Sequence, residues 1–128
     1  MTVLARSERA LNLQAVVETL GMDFSWSRFE EADIAGICAD AAAVISTIPA
    51  HAAEDLAEGL CAAAGIVDVI YDPYPTPLLS AAKAKSIPHA DGLRMLAGQA
   101  EEQFRLFTGH SAPEGLMLDT VLRAKGQA

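Results

Sequence analysis

Gly92, Met95 and Gln99 fall at i, i+3 and i+7 and so share one face of any helix formed there. Glycine admits close approach to the backbone, methionine offers an adaptable apolar surface, and glutamine carries both a donor and an acceptor. Such a face suits a flat ring beside a polyhydroxylated substrate, although periodicity alone also allows a core helix with one partly buried glutamine. Arg6-Ser7-Glu8-Arg9 sets two guanidinium groups beside a hydroxyl, a combination that binds phosphate through bidentate charge-assisted bonds. It reads equally as a solvated charged turn, with Ser7 capping the helix that follows. Ser46-Thr47-Ile48-Pro49 and Tyr71-Asp72-Pro73 each end an apolar run, where a hydroxyl can meet a ligand or simply mark the exit of a strand. His51, His89 and His110 lie far apart without base–nucleophile spacing and read as surface residues. No paired carboxylates, nucleophile elbow or metal-ligand cluster is visible, so no metal is expected.

The elements that must carry these residues alternate short apolar runs with helical stretches, which predicts an α/β fold with a mostly parallel sheet. Strands are expected at Thr2–Ala5, Met22–Trp26, Ala42–Ile48, Ile66–Tyr71 and Ile87–Ala90. Helices are expected at Arg9–Leu20, Glu30–Ala39, His51–Ala63 and Leu78–Lys85, from residue 91 or 92 to Thr108, and from a capping box at Ser111–Glu114 to Arg123. Thr76 followed by Pro77 has the form of an N-cap and first helical residue, and Gly21 and Gly109 stand where helices stop. The division expected is 1–109 as an incomplete nucleotide-binding domain and 110–128 as a C-terminal helix with a tail that frays from Lys125.

Composition narrows the class. The chain has 128 residues, 52% hydrophobic and 20% charged, enough for one domain with a core and too little for two. A net charge of −8 argues against a general nucleic-acid binder, so any anion site must be local. Cys38 and Cys61 lack metal-type spacing and read as reduced thiols. There is no bilayer-length apolar run and no leader at Met1-Thr2-Val3, which predicts a cytoplasmic protein with no membrane partner. In a doubly wound nucleotide-binding fold, the first strand leads into a Gly-rich turn that carries the pyrophosphate. Neither precedes Thr2. In the usual 3-2-1-4-5-6 order the missing strand would sit between the first and third strands expected here, leaving a gap inside the sheet. Strands 2–5 and 42–48 would then pair directly, or another chain would fill the space as a homodimer or swapped association.

Read together, these blocks resemble the cofactor-binding part of the shikimate dehydrogenases. The matching residues are Ala5-Arg6-Ser7, Val44-Ile45-Ser46-Thr47, Asp68-Val69-Ile70-Tyr71-Asp72-Pro73 with Thr76-Pro77-Leu78-Leu79, and Asp91-Gly92 through Met95-Leu96, Gln99-Ala100, Phe104 and Thr108-Gly109. The resemblance implies a partial Rossmann-like sheet of about five strands with helices on both faces and C-terminal helices. It implies an oxidoreductase of aromatic amino acid biosynthesis that reduces 3-dehydroshikimate to shikimate with NADPH. Carried over by position, Arg6, Ser7 and Arg9 would bind the 2′-phosphate of NADP, and Ser46, Thr47, Ile48, Pro49 and Val69 would line the dinucleotide. Gly92 and Met95 would face the nicotinamide, while Tyr71 and Gln99 would reach shikimate.

This sequence departs from the pattern at three places. Arg9 stands one position before the family's basic residue, Ile48-Pro49 replaces two hydroxyl-rich positions, and Arg94 stands where a second glycine is usual. The family's proton-relay lysine and aspartate belong to an N-terminal substrate domain, so no catalytic residue is expected in this chain and little or no turnover from it alone. The alternatives are a non-catalytic nucleotide- or partner-binding module derived from that domain, and a quinate/shikimate dehydrogenase preferring NAD. Arg6, where an acidic residue would take the 2′-hydroxyl of NAD, speaks against the latter.

Overall fold

The computed structural model describes residues 1–126. Five short strands form, all in parallel pairs, and they divide into two sheets. In the first, β1 (Thr2–Leu4) pairs with β2 (Ser25–Ser27), Val3 lying opposite Trp26. In the second, β4 (Ile66–Asp68) lies between β3 (Val44–Ser46) and β5 (His89–Asp91), with Ile45 opposite Val67 and Val67 opposite Ala90. Between β1 and β2 a 3-10 helix (Glu8–Leu13) runs into α1 (Gln14–Thr19), and Gly21 turns the chain at φ 73°. The second sheet is wound with α2 (Ile34–Ala39), α3 (Ala50–Glu54), α4 (Ala57–Leu60), α5 (Pro77–Ala84), α6 (Gly92–Thr108) and α7 (Leu116–Ala124).

The expected α/β class and all five strands are present, each shorter than the apolar run suggested. The strands do not form one continuous sheet. Neither β1 nor β3 takes a second strand partner among the described residues, and the direct pairing that would close the gap does not occur. In β3, Val44 N and Ser46 O bond toward β4, so the backbone of Ile45 points the other way. Ile45 is exposed, as are Leu13, Val16 and Leu20 on and just after the helical stretch between β1 and β2.

Helix boundaries moved for local reasons. The stretch 9–20 begins as a 3-10 helix, and 51–63 breaks into α3 and α4 around Asp55-Leu56. The helix placed at 30–39 starts only at Ile34, because Asp33 caps it by accepting from Gly36 N at 3.0 Å. The capping box at 111–114 does not form; α7 starts after Gly115, at φ 74°, with no side-chain cap. The expectation of fraying falls partly on Gln127 and Ala128, which lie outside the described residues; Lys125 is held, its Nζ 3.2 Å from Asp72 Oδ1.

The core lies on the second sheet. Ile66, Leu78, Leu60, Cys38 and Cys61 pack with Ala53, Ala57, Ala63 and Ala82, so alanines let α2 through α5 approach closely. Each fully buried Leu or Ile here contributes about 1.5–3 kcal/mol. Both thiols are free, and burial raises their pKa, which leaves them unreactive core residues.

Candidate functional site

Parallel strands present their carboxyl ends on one side, and ligands of open α/β sheets bind there. Ser46 ends β3, Val69 follows β4, and Gly92 follows β5. These three are brought together. Val69 N donates to the Ser46 carbonyl at 3.0 Å. Gly92 is buried, and a Cβ added to it would overlap the Val69 carbonyl oxygen and meet Ile70 O at 3.0 Å. The close approach that this glycine permits is therefore to the protein's own backbone. Met95 and Gln99 lie farther along α6 with exposed side chains, and Tyr71 is exposed on the loop after β4. Thr47 and Pro49 are exposed, and Ile48 is half-buried against the core.

The loop from Tyr71 to Pro77 is held by two aspartates that face each other across β4 and β5, Asp68 and Asp91. Asp68 is wholly buried; its Oδ2 accepts from Thr76 Oγ1 at 2.6 Å and its Oδ1 from Ile70 N at 3.2 Å. Thr76 Oγ1 in turn accepts from Leu79 N, the expected N-cap of α5. Asp91 caps α6 by accepting from Arg94 N at 2.8 Å, and its other oxygen accepts from Tyr74 OH at 3.1 Å. Burial first, and the Asp91 charge second, raise the Tyr74 pKa above its usual value. Sequence reasoning found Thr76 through its cap pattern but missed Tyr74 and the Asp68–Thr76 bond, which join residues that only the packing of the loop brings face to face. Beside this loop, a cleft of about 430 Å³ opens between Pro49, Ala50 and His51 on one side and Ile70, Asp72 and Pro73 on the other.

The first sheet carries the other predicted group. Arg6, Ser7 and Arg9 follow β1 and are exposed. Ser7 occupies the N-cap position, but its side chain makes no capping bond, so its hydroxyl is not spent on the helix. A third arginine, unmarked by any motif, joins them: Arg28, just past β2, donates from Nη1 to the Arg6 carbonyl at 3.3 Å. This basic corner and the group of Ser46, Val69 and Gly92 sit on separate sheets.

Two buried polar atoms have no hydrogen-bond partner among the described residues, Ser46 Oγ at the end of β3 and Trp26 Nε1 on β2. An orphaned hydroxyl at a strand's carboxyl end fits a site that takes a polar ligand. Among the described residues no cluster of His, Cys, Asp or Glu can hold a metal ion, and no helix is long and apolar enough to cross a membrane.

Comparison with known proteins bears on the same residues. The family described as "Shikimate 5'-dehydrogenase C-terminal domain" matches residues 92–122. Shikimate dehydrogenase (NADP(+)) of Citrifermentans bemidjiense is 37% identical over 102 residues, covering 76% of this chain and 35% of the relative. The crystal structure of Mycobacterium tuberculosis shikimate dehydrogenase superimposes with a TM-score of 0.85 at 35% identity, over 96% of this chain and 47% of that one. Quinate dehydrogenase from Corynebacterium glutamicum, solved with NAD, gives a TM-score of 0.77 at 30% identity, over 95% of this chain and 45% of that one. The chain thus spans less than half the length of each relative. The chain is similar to the C-terminal part of the shikimate dehydrogenases.

Proposed function

We propose that this chain is the cofactor-binding portion of an NADP-dependent shikimate dehydrogenase, which takes 3-dehydroshikimate, NADPH and a proton to shikimate and NADP. The observation that carries the reading is the meeting of Ser46, Val69 and Gly92 at the carboxyl ends of β3, β4 and β5. The unpartnered Ser46 hydroxyl and the arginines past β1 supply the polar and cationic groups that a dinucleotide needs at its two ends. When bound, the reduced nicotinamide supplies the hydride. Arg6, Ser7 and Arg9 hold the 2′-phosphate; Ser46, Thr47, Ile48, Pro49 and Val69 line the dinucleotide. Met95 offers its thioether side chain to the ring beside the buried Gly92, and Tyr71 and Gln99 donate to the substrate's oxygens. Tyr71 and Gln99 hold the substrate in this reading, and protonation of the ketone oxygen is given to residues outside this chain.

The test is titration of the 128-residue chain with NADP⁺ and with NAD⁺, together with an assay for reduction of NADP⁺ by shikimate. NADP⁺ binds more tightly than NAD⁺, and no turnover is seen. Equal or tighter binding of NAD⁺ overturns the cofactor assignment and favours the quinate-type alternative; turnover by the chain alone overturns the division of labour. The free edges of β1 and β3 and the exposed Ile45 favour a second reading, a partner-binding module that associates through these strands as a homodimer or swapped pair. Light scattering at several concentrations tests it, and a monomer throughout excludes self-association.

A further inference from the structure

The basic corner of the first sheet goes beyond the residues assigned above. Arg6, Arg9 and Arg28 are the only Lys or Arg residues before Lys83, in a chain whose net charge is −8. Pairing of β1 with β2 brings two of them together although 22 positions separate them: the guanidinium of Arg28 reaches the carbonyl of Arg6 at 3.3 Å. Leu4 lies opposite Ser27, so Arg6 and Arg28 leave the carboxyl ends of neighbouring strands almost side by side. Three contacts orient Arg28. One is that bond, the second is the face of Trp26, whose ring centre is 5.6 Å from the guanidinium carbon, and the third is Glu8, with Oε1 3.8 Å from Nη2.

The Glu8 contact is too long for a hydrogen bond, and the Glu8 side chain is 71% exposed. A solvent-screened pair of this kind holds its partner weakly. Of the five N–H donors of a guanidinium, only one is engaged in a hydrogen bond here, and the fork is already anchored at its base and along its face. Its bond to the Arg6 carbonyl sets Arg28 beside that residue, and the next one along, Ser7, has a hydroxyl not committed to a cap. Two guanidinium groups and a hydroxyl are the groups that bind a phosphomonoester dianion.

We propose that Arg28 is a specificity-determining residue for a ribose 2′-phosphate, binding it together with Arg6, and that Glu8 is the internal counter-ion that the phosphate displaces. Arg9, exposed on the 3-10 helix, keeps the phosphate-binding role given to it above, and Arg28 is added to that set. The inference rests on the dinucleotide reading of this site and names the residue that distinguishes NADP from NAD within it. It gives Arg28 and Glu8 opposite signs, since removing the first deletes a ligand and neutralising the second removes a competitor.

Trp26 is the only tryptophan of the chain and stacks on Arg28, so its fluorescence reports on this residue directly. The intact chain is titrated with adenosine 2′-monophosphate, and with adenosine 5′-monophosphate as the control, followed by Trp26 emission and by calorimetry. The 2′-phosphate binds preferentially and changes the emission. Arg28→Gln weakens it about tenfold and removes the emission change. Arg28→Lys, which keeps the charge but loses the fork, restores only part of the affinity. Glu8→Gln tightens binding by about twofold to fivefold. Circular dichroism checks that the variants remain folded. Wild-type affinity in Arg28→Gln with loss in Arg6→Gln overturns this inference and leaves the dinucleotide reading standing. Failure of the wild-type chain to prefer the 2′-phosphate over the 5′-phosphate overturns the phosphate assignment at this corner altogether, and the role of Arg28 with it.

Discussion

Gly92→Ala tests whether the glycine that opens α6 serves a ligand or the fold itself. The added methyl would overlap the Val69 carbonyl oxygen, lie 2.8 Å from the Val69 carbonyl carbon and 3.0 Å from Ile70 O. All three are backbone atoms at the exit of β4, and Val69 is tied to β3 through its bond to the Ser46 carbonyl, so none can swing aside as a side-chain tip would. Overpacking against groups that must shift costs about 1–3 kcal/mol, and backbone obstruction puts this case at the upper end, about 3 kcal/mol. Alanine recovers up to about 1 kcal/mol over glycine in a helix, so the net loss is about 2 kcal/mol. Gly98 provides the control within the same helix. A Cβ there meets nothing within 4 Å, so Gly98→Ala stabilises by about 0.5–1 kcal/mol. Urea unfolding followed by circular dichroism measures both, and the melting temperature falls by about 6–8 °C for Gly92→Ala while rising by a few degrees for Gly98→Ala. A Gly92→Ala protein as stable as wild type refutes the steric argument. Equal destabilisation by both substitutions refutes it too, because it would trace the effect to the helix rather than to the junction with β4.

Thr76→Val removes the hydroxyl that both caps α5 and donates to buried Asp68, so it destabilises by about 3 kcal/mol in urea titration, whereas loss of a cap alone costs about 1 kcal/mol. Tyr74 has its folded pKa raised above an unfolded value of about 10 by burial and the Asp91 charge, so the stability from this phenol is whole below that pH and is lost as pH rises through the folded value. Tyr74→Phe accordingly shows a smaller fall in unfolding free energy than wild type above about pH 10, and parallel curves would contradict the assignment. Glu102, whose carboxyl is lowered first by its bond to Arg105, sits fully exposed with its partner, so Glu102→Gln leaves the melting temperature unchanged at physiological salt.

Much of the local structure is legible in residue order because its causes are local. Pro77 after Thr76 and Gly109 at the end of α6 are short-range devices that act as expected, and the Asp91 cap of α6, not foreseen, is equally local. The five strands follow from apolar runs, although each is cut to the three residues that its neighbours pair, and β2 and β5 start and end later than the runs suggested. The capping box at 111–114 failed because Gly115, in the left-handed region, turns the chain before the helix can start. Of the site, the residues at strand ends were readable by position. Arg28 was not, because nothing in Trp26-Ser27-Arg28-Phe29 signals a ligand until β2 pairs with β1.

Sequence by itself determined the alternation of strands and helices, the caps, the acidic balance and the resemblance through which the candidate residues were found. All of these depend on composition or on neighbours a few positions apart. Tertiary structure decided what Gly92 touches, which aspartates hold the Tyr71 loop and which arginine joins Arg6. It also left β1 and β3 each with an open edge. Those outcomes depend on contacts between distant segments, whose distances and free donors exist only once the parallel strands have set their register.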